Sequence, residues 1–169
     1  LTLTALGGSP GGIVEGEVVR FADLTALEAA PAGSLAGKIA FVDYRMERAR
    51  DGSGYGSGSK VRTRGPSAAI RAGAAAFVMR SAGTDSHRNP HTGISRFDEG
   101  LAPIPSAALS SPDADQLARL VALGPVTVAF AVPIWQQRAL LARHWPALTL
   151  GMLVGSAASI SSSWGLAHL

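Results

Sequence analysis

All twelve aspartates and glutamates of this 169-residue chain lie at or before Asp115, and residues 116–169 carry none. A stretch of that length with ordinary charge content would hold roughly six acids. The three tryptophans, Trp135, Trp145 and Trp164, also fall in this acid-free part. The asymmetry splits the polypeptide into two kinds of sequence, with a boundary expected near Ala131 to Pro133. Only the first part has the mixed polar and apolar texture of a water-exposed domain built round one core.

Before the boundary, short β-type runs alternate with short helical ones, punctuated by glycine and proline. Strands are expected at Leu1 to Ala5, Ile13 to Phe21, Lys38 to Tyr44, Ala75 to Arg80, Ile104 to Leu109 and Val126 to Val132. Asp23 is placed to cap a helix running to Ala30, since its side chain can accept a free first-turn N–H. Pro66 suits a first helical turn, so Ser67 to Ala72 reads as a small-residue helix stopped by Gly73. The best-marked helix has Ser111 as cap, Pro112 first, Asp113 and Asp115 at the positive dipole end, and Gly124 as its stop. Successive β-helix-β units then imply an α/β fold, a mixed sheet with short flanking helices.

Two long loops interrupt the pattern, Arg45 to Ser59 and Ser81 to Pro103, and long loops in compact domains are usually functional. His87 and His91 have helical zinc-ligand spacing, but Asn89-Pro90 between them excludes a helix. A loop site built on Asp85, His87 and His91 lacks a marked fourth ligand and stands as the alternative of a small metallo-hydrolase. The competing reading is a polar loop in which Asp85 and Thr92 brace turns. Glycines 52, 54, 56 and 58 do not match a phosphate loop, because Lys60 is not adjacent to the last of them, and they read as a flexible solvent-facing segment. No serine stands in a Gly-x-Ser-x-Gly elbow. Lys60, Arg62 and Arg64 could bind an acidic ligand, but alternating charges at a helix approach usually form a solvated face.

With no cysteine, thiolate chemistry and disulfides are excluded. Fifteen basic residues against twelve acidic ones form no Lys/Arg block, which argues against a nucleic-acid partner. In the acid-free part, eighteen uncharged residues lie between Trp145 and Trp164, near the lower limit for a membrane span. Ser156, Ser159, Ser161, Ser162 and Ser163 crowd one end and argue against it, so membrane anchoring through residues 146 to 166 stands as a further alternative. A frameshifted or otherwise foreign tail over residues 132–169 accounts best for the missing acids.

Several separated motifs in residues 1–131 carry a resemblance. They are Ala5-Leu6-Gly7-Gly8-Ser9, Leu35-Ala36-Gly37-Lys38-Ile39-Ala40-Phe41-Val42-Asp43, Arg64-Gly65-Pro66, Ala72-Gly73-Ala74-Ala75-Ala76, Arg80-Ser81, Pro90-His91-Thr92-Gly93, and Ile104-Pro105-Ser106-Ala107-Ala108-Leu109 leading to Asp113-Ala114-Asp115. In this order they resemble the protease-associated (PA) domain of di-zinc exopeptidases, the group that includes plasma glutamate carboxypeptidase and bacterial zinc aminopeptidases. The resemblance implies a swivelling β/β/α PA-type domain at 1–131 and an accessory role covering the active-site cleft of a secreted or periplasmic metallopeptidase, or aiding substrate access and assembly. It also implies two zinc ions in a missing peptidase domain, a peptide substrate, and self-association as an open alternative. Tyr55, Arg80, Ser81, Pro90, His91, Thr92 and Gly93 are the expected substrate or interdomain contacts. No catalytic residue, metal ligand or cofactor is assigned to this chain: the family's Gly-His-Leu-Asp type zinc-ligand motif does not follow Ala131, and Ala167-His168-Leu169 stops short of an aspartate. A co-catalytic metal pair needs bridging and terminal carboxylates.

Overall fold

A computed structural model describes residues 1–132. In chain order the elements are β1 (Leu3–Ala5), β2 (Gly12–Phe21), α1 (Leu24–Glu28), β3 (Ile39–Val42), α2 (Tyr55–Arg71), β4 (Ala76–Arg80), β5 (Ser106–Leu109), α3 (Ser111–Leu123) and β6 (Thr127–Val132). The strands form one mixed sheet in the order β1-β5-β4-β3-β2-β6. Its centre, β2-β3-β4-β5, is parallel, and the edges β1 and β6 run antiparallel to β5 and β2. The α/β class and all six expected strands are present.

The parallel centre follows from composition. Ile39–Val42 and Ala76–Arg80 are buried at every position, as strands covered on both faces must be. Ala40, Val42, Phe77, Met79 and Ala108 belong to the core under α1 and α2. Ile39, Phe41, Val78, Ala107 and Leu109 belong to the opposite core, with Ala114 and Leu117 of α3 and Phe130 of β6. The ten-residue β2 serves two neighbours: Gly12 to Glu17 pair with β6, and Val18 to Phe21 pair with β3. Gly16 sits where it passes from one to the other, and a Cβ there would lie 2.7 Å from the Gly37 carbonyl oxygen. The sheet curls enough that Leu1 and Leu3 at one edge and Val128, Ala129 and Phe130 at the other line a single apolar cavity of about 260 Å³.

Asp23 caps α1 as expected, accepting the Ala26 N–H at 2.8 Å. The glycine-rich segment differs from its sequence reading. The helix expected only from Ser67 begins at Tyr55, so Gly56, Gly58, Lys60, Arg62 and Arg64 are helical and Pro66 is internal. Pro66 deprives the Arg62 carbonyl of its helical partner, a loss offset by burial, because Val61, Pro66, Ala68 and Ala69 all pack into the core. Gly58 and Gly65 are close-approach positions: a Cβ would meet Ala82 Cβ at 3.1 Å at the first and Phe77 Cε2 at 2.7 Å at the second. The cap of α3 is Ser110 rather than Ser111, its hydroxyl accepting the Asp113 N–H at 3.3 Å.

Parallel β4 and β5 need a long crossover, and here residues 81–105 supply it without a helix. The segment lies along α2. Asp98 donates its N–H to Ser67 Oγ at 3.0 Å, and Arg71 pairs with the Asp98 carboxylate.

Candidate functional site

The crossover brings Pro90-His91-Thr92-Gly93 onto the surface beside the start of α2. Two backbone anchors hold it. Ser81, directly after β4, accepts the His91 N–H on its hydroxyl at 2.5 Å. Gly7, just after β1, donates its N–H to the Gly93 oxygen at 2.8 Å and accepts the Ser95 N–H at 2.8 Å. Pro90, Thr92 and Gly93 are half-buried, and His91 is exposed.

His91 Nε2 lies 2.8 Å from the Tyr55 hydroxyl, with the two rings edge to face at 5.5 Å between centroids. Arg62, two turns further along α2, donates through Nη1 to the same hydroxyl at 3.1 Å and through Nη2 to Ser59 Oγ at 3.2 Å. Gly93 lies over this guanidinium, and a Cβ there would come within 2.9 Å of Arg62 Cζ and Nε. Ile94, next in the chain, is 72% exposed. The structure therefore assembles Tyr55, Ser81, Pro90, His91, Thr92 and Gly93 into one patch, and adds Arg62 and Ile94. Sequence reading placed Arg62 on a solvated face and did not single out Ile94. The available signal for Arg62 was its seven-residue spacing from Tyr55, two helical turns, visible only once residues 55–71 are taken as one helix.

Arg80 sits elsewhere. It is buried, and its guanidinium meets Asp43 Oδ1 at 2.5 Å, Asp115 Oδ1 at 2.7 Å and the Ser111 carbonyl at 3.1 Å. Asp43 also receives Arg20 at 2.6 Å, so the carboxyl ends of β2, β3 and β4 are tied through one carboxylate. Arg80, expected among the substrate or interdomain contacts, is not brought to that patch and serves as a structural hub inside the fold. Arg45, Arg48, Thr84 and Asp115 line a wide cleft of about 540 Å³ beside it.

Burial alone would raise the Asp115 carboxyl, but hydrogen bonding and charge from Arg80, with Arg45 adding to both, outweigh it and hold it below the ordinary value of 3.8. Asp113 is likewise raised by burial and lowered further by the Ser110 hydroxyl, the Thr2 amide and the Arg88 guanidinium. Both folded values lie below the unfolded one. The stabilisation is thus complete above about pH 4 and is lost as pH falls through the folded values. Acid unfolding followed by circular dichroism should show stability falling below pH ~4, with a shallower fall in Asp115→Asn; an equally steep fall in that variant would contradict the assignment.

Asp85, His87 and His91 do not converge. His87 Nε2 meets Asp85 Oδ1 at 3.1 Å and His87 Nδ1 accepts the Asn89 N–H at 3.2 Å, while His91 turns to Tyr55. Among the described residues no group of three or more His, Cys, Asp or Glu is placed to hold a metal ion, so they do not fit a dinuclear zinc centre. Nor is any described helix long and apolar enough to cross a membrane. The proposed span at 146–166 lies outside the described residues.

A solved structure of a peptidase M28 precursor from Shewanella amazonensis SB2B is similar, with a TM-score of 0.71 and 43% identity over 77% of this chain and 31% of that one. Carboxypeptidase Q of Mus musculus is 31% identical over 121 residues, 72% of this chain and 24% of its own length. Human carboxypeptidase Q is 34% identical over 70 residues, covering 41% of the chain and 15% of the relative. The chain thus spans under a third of these relatives. The model of the LrgB-like family matches residues 113–169, about a third of the chain, beginning inside α3. Together the topology of residues 1–132 and these likenesses identify a peptidase M28-related fold.

Proposed function

We propose that residues 1–132 are a PA-type accessory module of a secreted or periplasmic zinc exopeptidase, which borders the active-site cleft and guides peptide access but does not cleave. The observation that carries this reading is the Tyr55-His91-Gly93-Ile94 patch. An exposed isoleucine sits on a segment pinned from two sides, by the Ser81 hydroxyl and the Gly7 backbone, with Tyr55 of α2 against its His91, which is how a rigid docking surface is built. The zinc pair belongs to the parent's peptidase portion, since the carboxylates it needs are not gathered in residues 1–132 and residues 116–169 have none. Self-association of the parent is compatible with this reading.

Residues 133–169 are proposed to be foreign to the module. The LrgB-like match favours a segment of different kinship over a shifted reading frame, because an out-of-frame translation has no reason to fit a family model. The match also includes α3 from Asp113 onward and β6, which complete the core of the module through Leu117 and Phe130.

The test is a chimera in which residues 1–132 replace the matching part of the Shewanella peptidase. Peptide hydrolysis is expected within about tenfold of the parent kcat/KM, and Tyr55→Ala with Ile94→Asp in the chimera should lower kcat/KM by ~10-fold or more. A folded chimera indifferent to both substitutions would overturn the reading.

A further inference from the structure

Arginines in this fold nearly all have an explanation. Arg20, Arg45, Arg64, Arg71, Arg80 and Arg88 each face a carboxylate. Arg48, Arg50, Arg96 and Arg119 are exposed to water. Arg62 fits neither group. It is half-buried, its hydrogen bonds go to the Tyr55 and Ser59 hydroxyls, and its Nε is buried with no acceptor among the described residues.

A cation removed from water without a counter-charge is costly, and a buried donor left unpaired adds to the cost. A guanidinium has five N–H donors, of which the internal bonds use two. Nε is covered, the side chain as a whole is half-buried, and Nη1 lies against the Tyr55 hydroxyl, which in turn meets the exposed His91. Gly93 permits this arrangement, since any side chain there would run into Cζ and Nε. Among the described residues the cluster has no planar, singly charged acceptor to match the guanidinium fork.

We propose that Arg62, flanked by Tyr55 and His91, is a binding site for a carboxylate, either the α-carboxylate at a peptide's C-terminus or the side chain of an Asp or Glu. This deepens the docking reading of the same surface and rests on it for its place in the parent peptidase. Binding itself is measurable on this chain.

The test is a titration of the isotopically labelled 169-residue chain, reading the Arg62 Nε–H and the His91 and Gly93 amide resonances. N-acetylalanine offers a C-terminal carboxylate, N-acetylglutamic α-amide a side-chain carboxylate, and N-acetylalaninamide neither. At least one carboxylate probe should shift these resonances saturably, with the neutral amide ~10-fold weaker or more. Which of the two saturates identifies the source. Arg62→Gln should abolish the shift, and Arg62→Lys, which keeps the charge but loses the fork, should weaken it ~10-fold. If Arg62→Gln does not fold, the lysine variant decides alone. Equal shifts from the neutral amide or from inorganic phosphate, or unchanged affinity in a folded variant, would overturn the proposal. The chimera's dependence on Tyr55 and Ile94 is read separately, so failure here is distinguishable from failure of the docking reading.

Discussion

Valine at position 65 is expected to destabilise residues 1–132 by about 2–3 kcal/mol, although glycine is a poor helix former and its replacement inside α2 would ordinarily help. The reason is Phe77. Its ring would lie 2.7 Å (Cε2) and 3.3 Å (Cε1) from a Cβ at position 65. Phe77 is fully buried on β4, which is paired on both sides, so neither ring nor strand can step back. Gly56→Ala in the same helix should do the opposite, gaining up to about 1 kcal/mol, because nothing among the described residues lies within 4 Å of a Cβ there. Urea denaturation of the two variants should move the midpoint in opposite directions; movement in the same direction would show that the close packing of α2 on β4 is wrong.

Asp43→Ala is expected to cost about 3–5 kcal/mol, the largest single effect in the molecule. The substitution strips the buried Arg80 of its principal counter-charge, leaving it only Asp115 and the Ser111 carbonyl, and frees Arg20 as well. Removing the partner charge too should recover most of the loss. The double variant Asp43→Ala/Arg80→Met should unfold at a higher urea concentration than Asp43→Ala alone; additive losses would mean that the pair is not energetically coupled.

The strands and the cap of α1 were readable from the residues because they depend on local rules. Runs such as Ile39–Val42 and Ala76–Arg80 admit no surface placement, and Asp23 announces its helix by chemistry that acts within three residues. The start of α2 was hidden because glycine's usual meaning is conformational freedom. At Gly58 and Gly65 it is instead thinness, needed against Ala82 and Phe77 from elsewhere in the sequence. Pro66 misled for the same reason: its penalty is local, and the burial that offsets it is not.

The candidate patch was half legible. Its loop could be singled out from the motif around His91, but the Tyr55 partnership depends on α2 beginning where it does. Arg80 lies apart from that patch, and its neighbours were not legible in the sequence. A strand-ending arginine opposite a strand-ending aspartate, as in Arg80 and Asp43, signals a tie across adjacent parallel strands, and the pairing exists only once their order is known.

The claim beneath the proposed function is that this polypeptide assists peptide cleavage without performing it. Hydrolysis of a panel of dipeptides and chromogenic amino-acid amides by the purified chain, supplied with zinc, tests it most directly. No turnover above the blank and no tightly held zinc are expected, since residues 1–132 gather no ligand cluster and residues 116–169 offer no carboxylate. Zinc-dependent turnover that a chelator abolishes would contradict it.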